Sequence, residues 1–175
     1  GRKVPVIGID FSDAGEVLEM EMVPKGSGSE NGSFLKMCIP ADGVDGIKTF
    51  VIDKVMEAGG KVCPPTIVGV GVGGTSDLCT KLAKVAATRP LGSVCDDPMG
   101  AELERTLSDA VNSLGIGPQG LGGASTAFPV QVEPAPTHIT LNPAAVNTMS
   151  PSARRARATL TPAVGQPRVY GTPDP

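Results

Sequence analysis

The stretch CPPTIVGVGVGGTSD, residues 63–77, decides the fold. Its centre, TIVGVGV, is a short run rich in β-branched residues, which predicts a buried strand. GGTSD then ends the strand, and a helical pattern follows from Asp77 to Arg89, where Pro90 stops it. A strand followed at once by a helix indicates a domain that contains both kinds of element.

Patterns on either side of this stretch predict the remaining elements. Apolar residues at helical spacing predict helices over Val44–Ala58 and about Met99–Leu114, and short strands are expected around Ala127–Glu133 and Thr137–Leu141. Residues 4–24 alternate in two pieces around a turn-forming SDAG, which predicts a β-hairpin. We therefore expect an α+β fold, with mixed sheets that start with a β-hairpin and are covered by about three helices.

The composition supports one globular domain followed by a tail. The chain has 175 residues, of which 40% are hydrophobic and 19% charged, enough to bury an aliphatic core despite 23 glycines and 17 prolines. After Ser150 the sequence becomes rich in arginine and proline. We expect a domain over residues 1–150 and, over 151–175, a tail or linker with a short helix at most.

The sequence argues against a nucleic-acid partner and against a membrane span. The net charge is −3 and aromatic residues make up 3% of the chain, so neither phosphate pairing nor base stacking favours a nucleic-acid partner. The sequence contains no run of about 20 apolar residues, so we expect no membrane span. The N-terminus lacks the apolar run of a signal peptide, so a cytoplasmic location is expected.

The cysteines and the histidine give no complete site by themselves. Cys38, Cys63, Cys79 and Cys95 contain no CxxC pair, and with His138 as the single histidine a self-contained zinc site is hard to build. Two prolines follow Cys63, and they fix the backbone next to its sulfur.

Two glycine-rich segments have more than one interpretation. Residues 69–74 satisfy G-x-G-x-x-G between a strand and a helix, which would fit a dinucleotide-binding module if PLGSVC, residues 90–95, formed the next strand. Close packing of strand on helix, or a turn that holds an anion, would need the same glycines. The loop PKGSGSENGS, residues 24–33, would let the backbone approach a ligand closely.

Four blocks together resemble one enzyme family. They are PKGSGSENGSFLKM, CPPTIVGVGVGGTSD, LGIGPQGLGGASTAFPVQVE and PTHITLNPAAVN. In this order, from about residue 1 to 157, the chain resembles the alpha subunit of class I fumarases and L-tartrate dehydratases. The resemblance implies an iron–sulfur hydro-lyase that adds water to, or removes it from, a dicarboxylic acid. It also implies a beta subunit or beta domain as partner, in a homo- or hetero-oligomer.

The resemblance assigns roles to particular residues. Cys63 matches the middle of three cysteines that hold a 4Fe-4S cluster in the family. His138 matches a substrate-pocket histidine that could bind a substrate carboxylate. Gly26, Ser27 and Gly28 match the glycine-rich loop that lies against the substrate.

The chain also departs from the family pattern at two of the three cluster ligands. Nothing in the sequence matches the segment with the first ligand, and Ser150 stands at the position of the third, followed by Pro151 where the pattern has histidine. The other cysteines match no ligand position and are expected to be structural thiols. Either other ligands come from a partner, or the chain is a fragment or variant that has lost the cluster, which includes a cluster-free degenerate or regulatory subunit without catalysis.

Overall fold

The computed structural model describes residues 7–11, 17–150, 155–161 and 168–170. They belong to two units. One is Pro24–Ala153, and the other combines the described residues that come before it and after it in the chain.

The described residues form β-strands, α-helices and short 3-10 turns. The strands are β1 (Leu18–Met22), β2 (Ser33–Cys38), β3 (Thr66–Gly73), β4 (Ala127–Ala135), β5 (Asn142–Met149), β6 (Ala156–Leu160) and β7 (Arg168–Tyr170). The α-helices are α1 (Ser27–Glu30), α2 (Gly43–Ala58), α3 (Ser76–Thr88) and α4 (Pro98–Ser113). The 3-10 turns lie at Pro40–Asp42, Gly59–Val62 and Pro118–Gly120.

The unit Pro24–Ala153 is built on a four-stranded mixed sheet with the order β2-β5-β3-β4. Strand β3 runs parallel to β4 and antiparallel to β5, and β2 pairs antiparallel with the other side of β5. Valines of β3 and β4 pack with α2 and α4 into the main core, whereas Cys79 and Ala83 of α3 pack with Ala145 of β5. Because side chains alternate along a strand, α3 lies on the opposite face of the sheet from α2 and α4.

Glycines in β3 explain how closely α3 approaches the sheet. A Cβ atom at Gly71 would overlap the carbonyl oxygen of Cys79, and one at Gly69 would overlap that of Ala83. The Cys79 thiol donates a hydrogen bond to the Gly71 carbonyl at 3.3 Å. These glycines therefore serve close packing of helix on strand.

Helix α4 covers the outer edge of β4 with a row of polar side chains. The row consists of three residues spaced four apart, so all three lie on one helix face. The side chains of Glu104, Ser108 and Asn112 accept hydrogen bonds at 2.8–3.2 Å from the backbone N–H groups of Thr126, Ala127, Val130 and Val132. The edge strand is thereby closed to pairing with another strand.

A partly buried ion-pair network joins α3, α4 and β4. The Arg89 guanidinium lies 2.6 Å from a carboxylate oxygen of Glu104 and 2.9 Å from one of Glu133. Glu104 also accepts a hydrogen bond from the Cys95 backbone N–H at 3.0 Å. The network fixes the end of α3 against β4.

The second unit contains a three-stranded antiparallel sheet with the order β1-β6-β7. Leu18 of β1 stands opposite Leu160 of β6. Glu21 on β1 lies 3.1 Å from a guanidinium nitrogen of Arg155 and 3.4 Å from one of Arg157. The described part of the tail therefore forms strands, and the expectation of at most a short helix there was wrong.

The predicted α+β class with mixed sheets is confirmed, as are its three main helices, α2, α3 and α4. Of the alternating segment 4–24, the second piece forms β1, which pairs with β6, while residues 7–11 carry no strand. Residues 4–6 and the whole of SDAG, residues 12–15, lie outside the described residues. The division into residues 1–150 and 151–175 stays a prediction.

Three local predictions were wrong. Residues 137–141 form a turn, and the strand begins after them as β5. Residues 24–33 contain the one-turn helix α1 within the expected irregular loop. Residues 90–95 form no strand, and Gly69 and Gly71 pack against α3, so the dinucleotide-binding interpretation fails.

No helix within the described ranges is long and apolar enough to cross a membrane.

Candidate functional site

A pocket of roughly 480 Å³ lies where β3 begins and β5 ends. Its walls come from three separate segments: the loop that contains α1, the turn before β3, and the end of β5. The lining residues are Pro24, Lys25, Gly26, Gly28, Ser29, Lys61, Val62, Cys63, Met149 and Ser150.

Cys63 enters this pocket from the end of a 3-10 turn. Its backbone is left-handed, with φ 59° and ψ 64°, and its N–H donates to the Gly60 carbonyl at 3.4 Å. Pro64 follows and is buried, while Cys63 itself is exposed. The sharp turn brings an exposed thiol to the pocket directly before the buried strand β3.

The glycine-rich loop forms the facing wall. Gly26 and Gly28 line the pocket, whereas Ser27 does not contribute to its lining. The Ser29 hydroxyl donates to the Gly26 carbonyl at 2.9 Å, and the Thr148 hydroxyl donates to the Ser29 carbonyl at 2.9 Å. The first bond closes the loop on itself, and the second attaches it to the end of β5.

An ion-paired lysine stands beside the same loop. The Lys25 ammonium lies 2.7 Å from one carboxylate oxygen of Glu30, and Lys84 on α3 lies 2.6 Å from the other. Burial lowers the pKa of Lys25, and the Glu30 carboxylate opposes that shift. Burial also opposes ionisation of Glu30, but hydrogen bonds from Lys25 and Lys84 outweigh it and lower the pKa of Glu30. Glu30 is therefore charged at neutral pH and links the loop to α3.

The end of β5 contributes Met149 and Ser150. Met149 is buried, and Ser150 is partly exposed. The structure thus brings together Cys63, Gly26, Gly28 and Ser150, which the sequence analysis predicted from segments far apart in the chain.

His138 does not join this group. It is exposed, in the turn between β4 and β5, and its Nδ1 lies 2.8 Å from the Thr140 hydroxyl. The neighbouring Thr137 hydroxyl donates to the Gly74 carbonyl, just beyond the end of β3. Since β3 has 8 residues, rising about 3.3 Å each, its two ends lie roughly 23 Å apart. The role of His138 as a carboxylate ligand stays a prediction, and it lies at the end of the sheet opposite the pocket.

The other three cysteines lie away from the pocket. Cys38 and Cys79 are buried and Cys95 is partly buried. Burial raises the pKa of each thiol, and that of Cys79 reaches about 11. Their surroundings agree with the prediction that they are structural thiols.

The donors in the pocket do not fit an iron–sulfur cluster held by this chain alone. Cys63 is the single thiol in its lining, accompanied by the hydroxyl of Ser150 and the buried thioether of Met149. Within the described ranges, no three or more histidine, cysteine, aspartate or glutamate side chains come together as a metal site. Cluster irons are bound by thiolates in nearly all proteins, so one thiol is not sufficient.

Sequence reasoning missed two lysines that line the pocket. Lys25 stands directly before the predicted glycine loop, and that position was the available signal. Lys61 stands in GGKVC, two residues before Cys63, and nothing in the local pattern marks it.

Comparisons with known proteins agree on one group of enzymes. A family model described as fumarate hydratase (Fumerase) matches residues 1–159. The protein named "Putative L(+)-tartrate dehydratase subunit alpha" of Methanocaldococcus jannaschii is 45% identical over 157 residues, which cover 89% of this chain and 55% of that protein. The L(+)-tartrate dehydratase subunit alpha of Escherichia coli K12 is 34% identical over 148 residues, covering 85% of this chain and 49% of that protein.

The chain therefore spans about half the length of these relatives. The match covers the pocket and all three segments that form it.

Proposed function

This chain belongs to the fumarate hydratase family, and on that premise we propose that it is the alpha-type component of a hydro-lyase. Its substrate would be a dicarboxylic acid of the fumarate/malate or tartrate type, to which the enzyme adds water or from which it removes it. Its location would be cytoplasmic.

One observation carries the proposal: three separate segments of the family match converge on one pocket. Gly26 and Gly28, Cys63 and Ser150 line a cavity of roughly 480 Å³, within the range of about 300–1,000 Å³ common for small-molecule sites.

The pocket offers groups suited to an anionic ligand. Lys25 and Lys61 are among its lining residues, and lysine side chains are suited to pairing with a carboxylate, although the Lys25 ammonium also pairs with Glu30. Gly26 and Gly28 have no side chains, so the backbone of this wall can approach the ligand closely. The contact of His138 with a substrate carboxylate has no support from this pocket.

Catalysis requires groups beyond those in this pocket. Hydroxide is a poor leaving group, and the proton next to a carboxylate is weakly acidic, so the reaction needs polarisation at one carbon and a base at the other. In the family a 4Fe-4S cluster supplies the polarisation. Here Cys63 would be one ligand of such a cluster, with further thiolates coming from a partner, since all four cysteines of this sequence are described and the other three lie away from the pocket. We propose that a beta subunit or beta domain completes the site.

The test is anaerobic purification of the protein together with its beta-type partner, followed by assays of fumarate hydration and tartrate dehydration. We expect water addition or elimination on one of these diacids, with bound iron and sulfide. Cys63→Ala should abolish both activity and bound iron, while Cys95→Ala, which removes a thiol outside the pocket, should keep both. A stable complex with neither activity nor iron would contradict the proposal.

The single thiol in the pocket favours a second candidate, a regulatory alpha-type subunit without catalysis. In that case the protein would stabilise its partner, and Cys63→Ala would leave partner binding unchanged. The double variant S150C/P151H tests whether a lost ligand explains inactivity. A gain of iron and activity in that variant would indicate a degenerate enzyme.

A further inference from the structure

Two non-glycine residues have a left-handed backbone among the residues that the structure describes. They are Cys63, with φ 59°, and Gln119, with φ 56°. Non-glycine residues adopt this conformation uncommonly, and it persists where the surroundings hold it.

A hydrogen bond joins the backbone at these two positions. The Gln119 N–H donates to the carbonyl of Pro64 at 2.7 Å, and Pro64 follows Cys63 directly. The two unusual conformations therefore lie on the two sides of one short contact. The loop of residues 115–123, which we call the brace loop, meets the turn of Cys63 here.

A second contact fits the brace loop against the same turn. Gly60, in the 3-10 turn that leads to Cys63, lies against Gly120, so closely that a Cβ atom on Gly120 would stand 2.8 Å from the Gly60 Cα. A Cβ atom on Gly60 would in turn stand 3.3 Å from the Gln119 carbonyl oxygen. The backbones of the two segments touch before Cys63 as well as after it.

The brace loop is itself fixed to the core. The Gly122 N–H donates to the Ile116 carbonyl at 2.8 Å, closing the loop at its base. Asn112 of α4 accepts hydrogen bonds from Thr126 and Ala127 immediately after the loop. A loop held in this way can resist movement of the turn that it touches.

We propose that the brace loop is a positioning segment for the Cys63 thiol. It holds the Cys63 backbone in the left-handed conformation that directs this side chain to the pocket. Relaxation of Cys63 to a negative φ would rotate its Cα–Cβ bond and carry the sulfur to a different place. The inference rests on the proposed function in one respect, that Cys63 is a residue of the site.

The test compares two glycine-to-alanine variants that are matched for backbone strain. Gly120→Ala places a Cβ atom against Gly60, at φ +76°. Gly92→Ala creates similar strain at φ +83°, but nothing lies within 4 Å of its Cβ. Gly92 lies between α3 and α4, outside the pocket and the brace loop. Circular dichroism and thermal unfolding establish that both variants fold.

The readout is the second-order rate constant for alkylation of Cys63 by iodoacetamide in the native protein, measured by peptide mass spectrometry and given as the ratio of variant to wild type. Alkylation reports how freely a thiolate is presented to a reagent, and it needs neither cluster nor substrate. We expect Gly120→Ala to raise this ratio several-fold, because the released thiol samples more orientations. Gly92→Ala should leave the rate constant unchanged.

Two further variants keep the inference falsifiable if Gly120→Ala does not fold. Gly60→Ala introduces the milder contact from the Cys63 side and should raise the ratio by a smaller factor. Gln119→Gly retains the N–H donor and the left-handed backbone, so the rate constant should equal that of the wild type. An unchanged rate constant in both Gly120→Ala and Gly60→Ala, or an equal rise in Gly92→Ala, would overturn the inference.

The activity assay separates this inference from the proposed function. A wild-type complex without hydro-lyase activity, whose variants nevertheless show the expected alkylation pattern, would overturn the function and support the brace loop. An active complex whose alkylation ratio does not respond to Gly120→Ala would support the proposed function and overturn the inference about the brace loop.

Discussion

At the scale of single residues, the glycines of this chain have different structural roles. The structure shows which of them are required for packing and which are not. Gly69 and Gly71 of β3 lie directly beneath α3, where any side chain would meet the helix backbone. Gly28 faces open space beside the pocket. In the sequence all three are simply glycines of glycine-rich segments. Of these, only Gly69 and Gly71 are required for packing.

This difference leads to a prediction for stability. Gly71→Ala would press a methyl group against the backbone of Cys79 and Ala83, whereas Gly28→Ala has nothing within 4 Å. Overpacking of a core typically destabilises by about 1–3 kcal/mol, and contact with rigid backbone places Gly71→Ala at or above the upper end. Gly28→Ala should change the free energy of unfolding by less than about 0.5 kcal/mol.

Urea unfolding of the two variants and the wild type measures both effects. Equal stability of Gly71→Ala and the wild type would show that α3 can move away from the sheet without loss.

At the scale of elements, helix α4 protects the edge of the sheet through its polar face. Asn112 is the clearest member of the row, because its side-chain oxygen accepts from two backbone N–H groups, at 2.8 Å and 3.0 Å. Spacing along α4 identified its apolar face in advance. The partners of its polar residues are backbone N–H groups at and just before β4, and only the tertiary structure shows that β4 lies beside α4.

Removal of the Asn112 side-chain acceptor should lower the free energy of unfolding. Asn112→Ala leaves the N–H groups of Thr126 and Ala127 without their side-chain partner, and a buried unsatisfied donor costs about 1–3 kcal/mol. Ser113→Ala is the matched control, since the exposed Ser113 hydroxyl bonds only within its own helix, to the Ala110 carbonyl. Chemical unfolding should show a loss of about 1–3 kcal/mol for Asn112→Ala and near-neutral behaviour for Ser113→Ala.

Amide hydrogen exchange locates the effect. Faster exchange confined to Thr126 and Ala127 would support this account, and unchanged protection at both amides would contradict it.

At the scale of the whole molecule, the stability of the fold depends on keeping buried thiols neutral. Cys79 is fully buried between α3 and the sheet, and burial raises its pKa from 9.0 to about 11. The unfolded chain loses this proton at lower pH than the folded chain. Between pH 9 and 11 the unfolded state thus binds fewer protons, and the free energy of unfolding falls as pH rises.

The consequence is an alkaline loss of stability that Cys79→Ala should lessen. With a pKa of 9.0 in the unfolded chain and about 11 in the folded one, ionisation of Cys79 should account at pH 10 for roughly 1.4 kcal/mol of lost stability and at pH 8 for almost none. Urea unfolding at the two pH values should show the variant gaining on the wild type by about that amount.

Cys63→Ala removes an exposed thiol and is the control for this measurement. A constant difference between Cys79→Ala and the wild type at pH 8 and pH 10 would refute the assignment.

The sequence by itself determined the mixed fold class, the strand at residues 66–73, the three main helices and the family. These features depend on local periodicity and on ordered motifs, which survive without knowledge of tertiary contacts. It also predicted Cys63 and the glycine loop as parts of a site, and the structure places Cys63, Gly26 and Gly28 in the lining of one pocket.

Only the tertiary structure decided which segments meet. β5 has a weak strand pattern, NPAAVNTM, and becomes a strand because β2 and β3 pair with it on both sides. That pairing brings Ser150 to Cys63 and leaves His138 at the far end of the sheet. Gln119 and the brace loop could not be assigned from spacing, since their relation to Cys63 depends on backbone contacts between segments more than 50 residues apart.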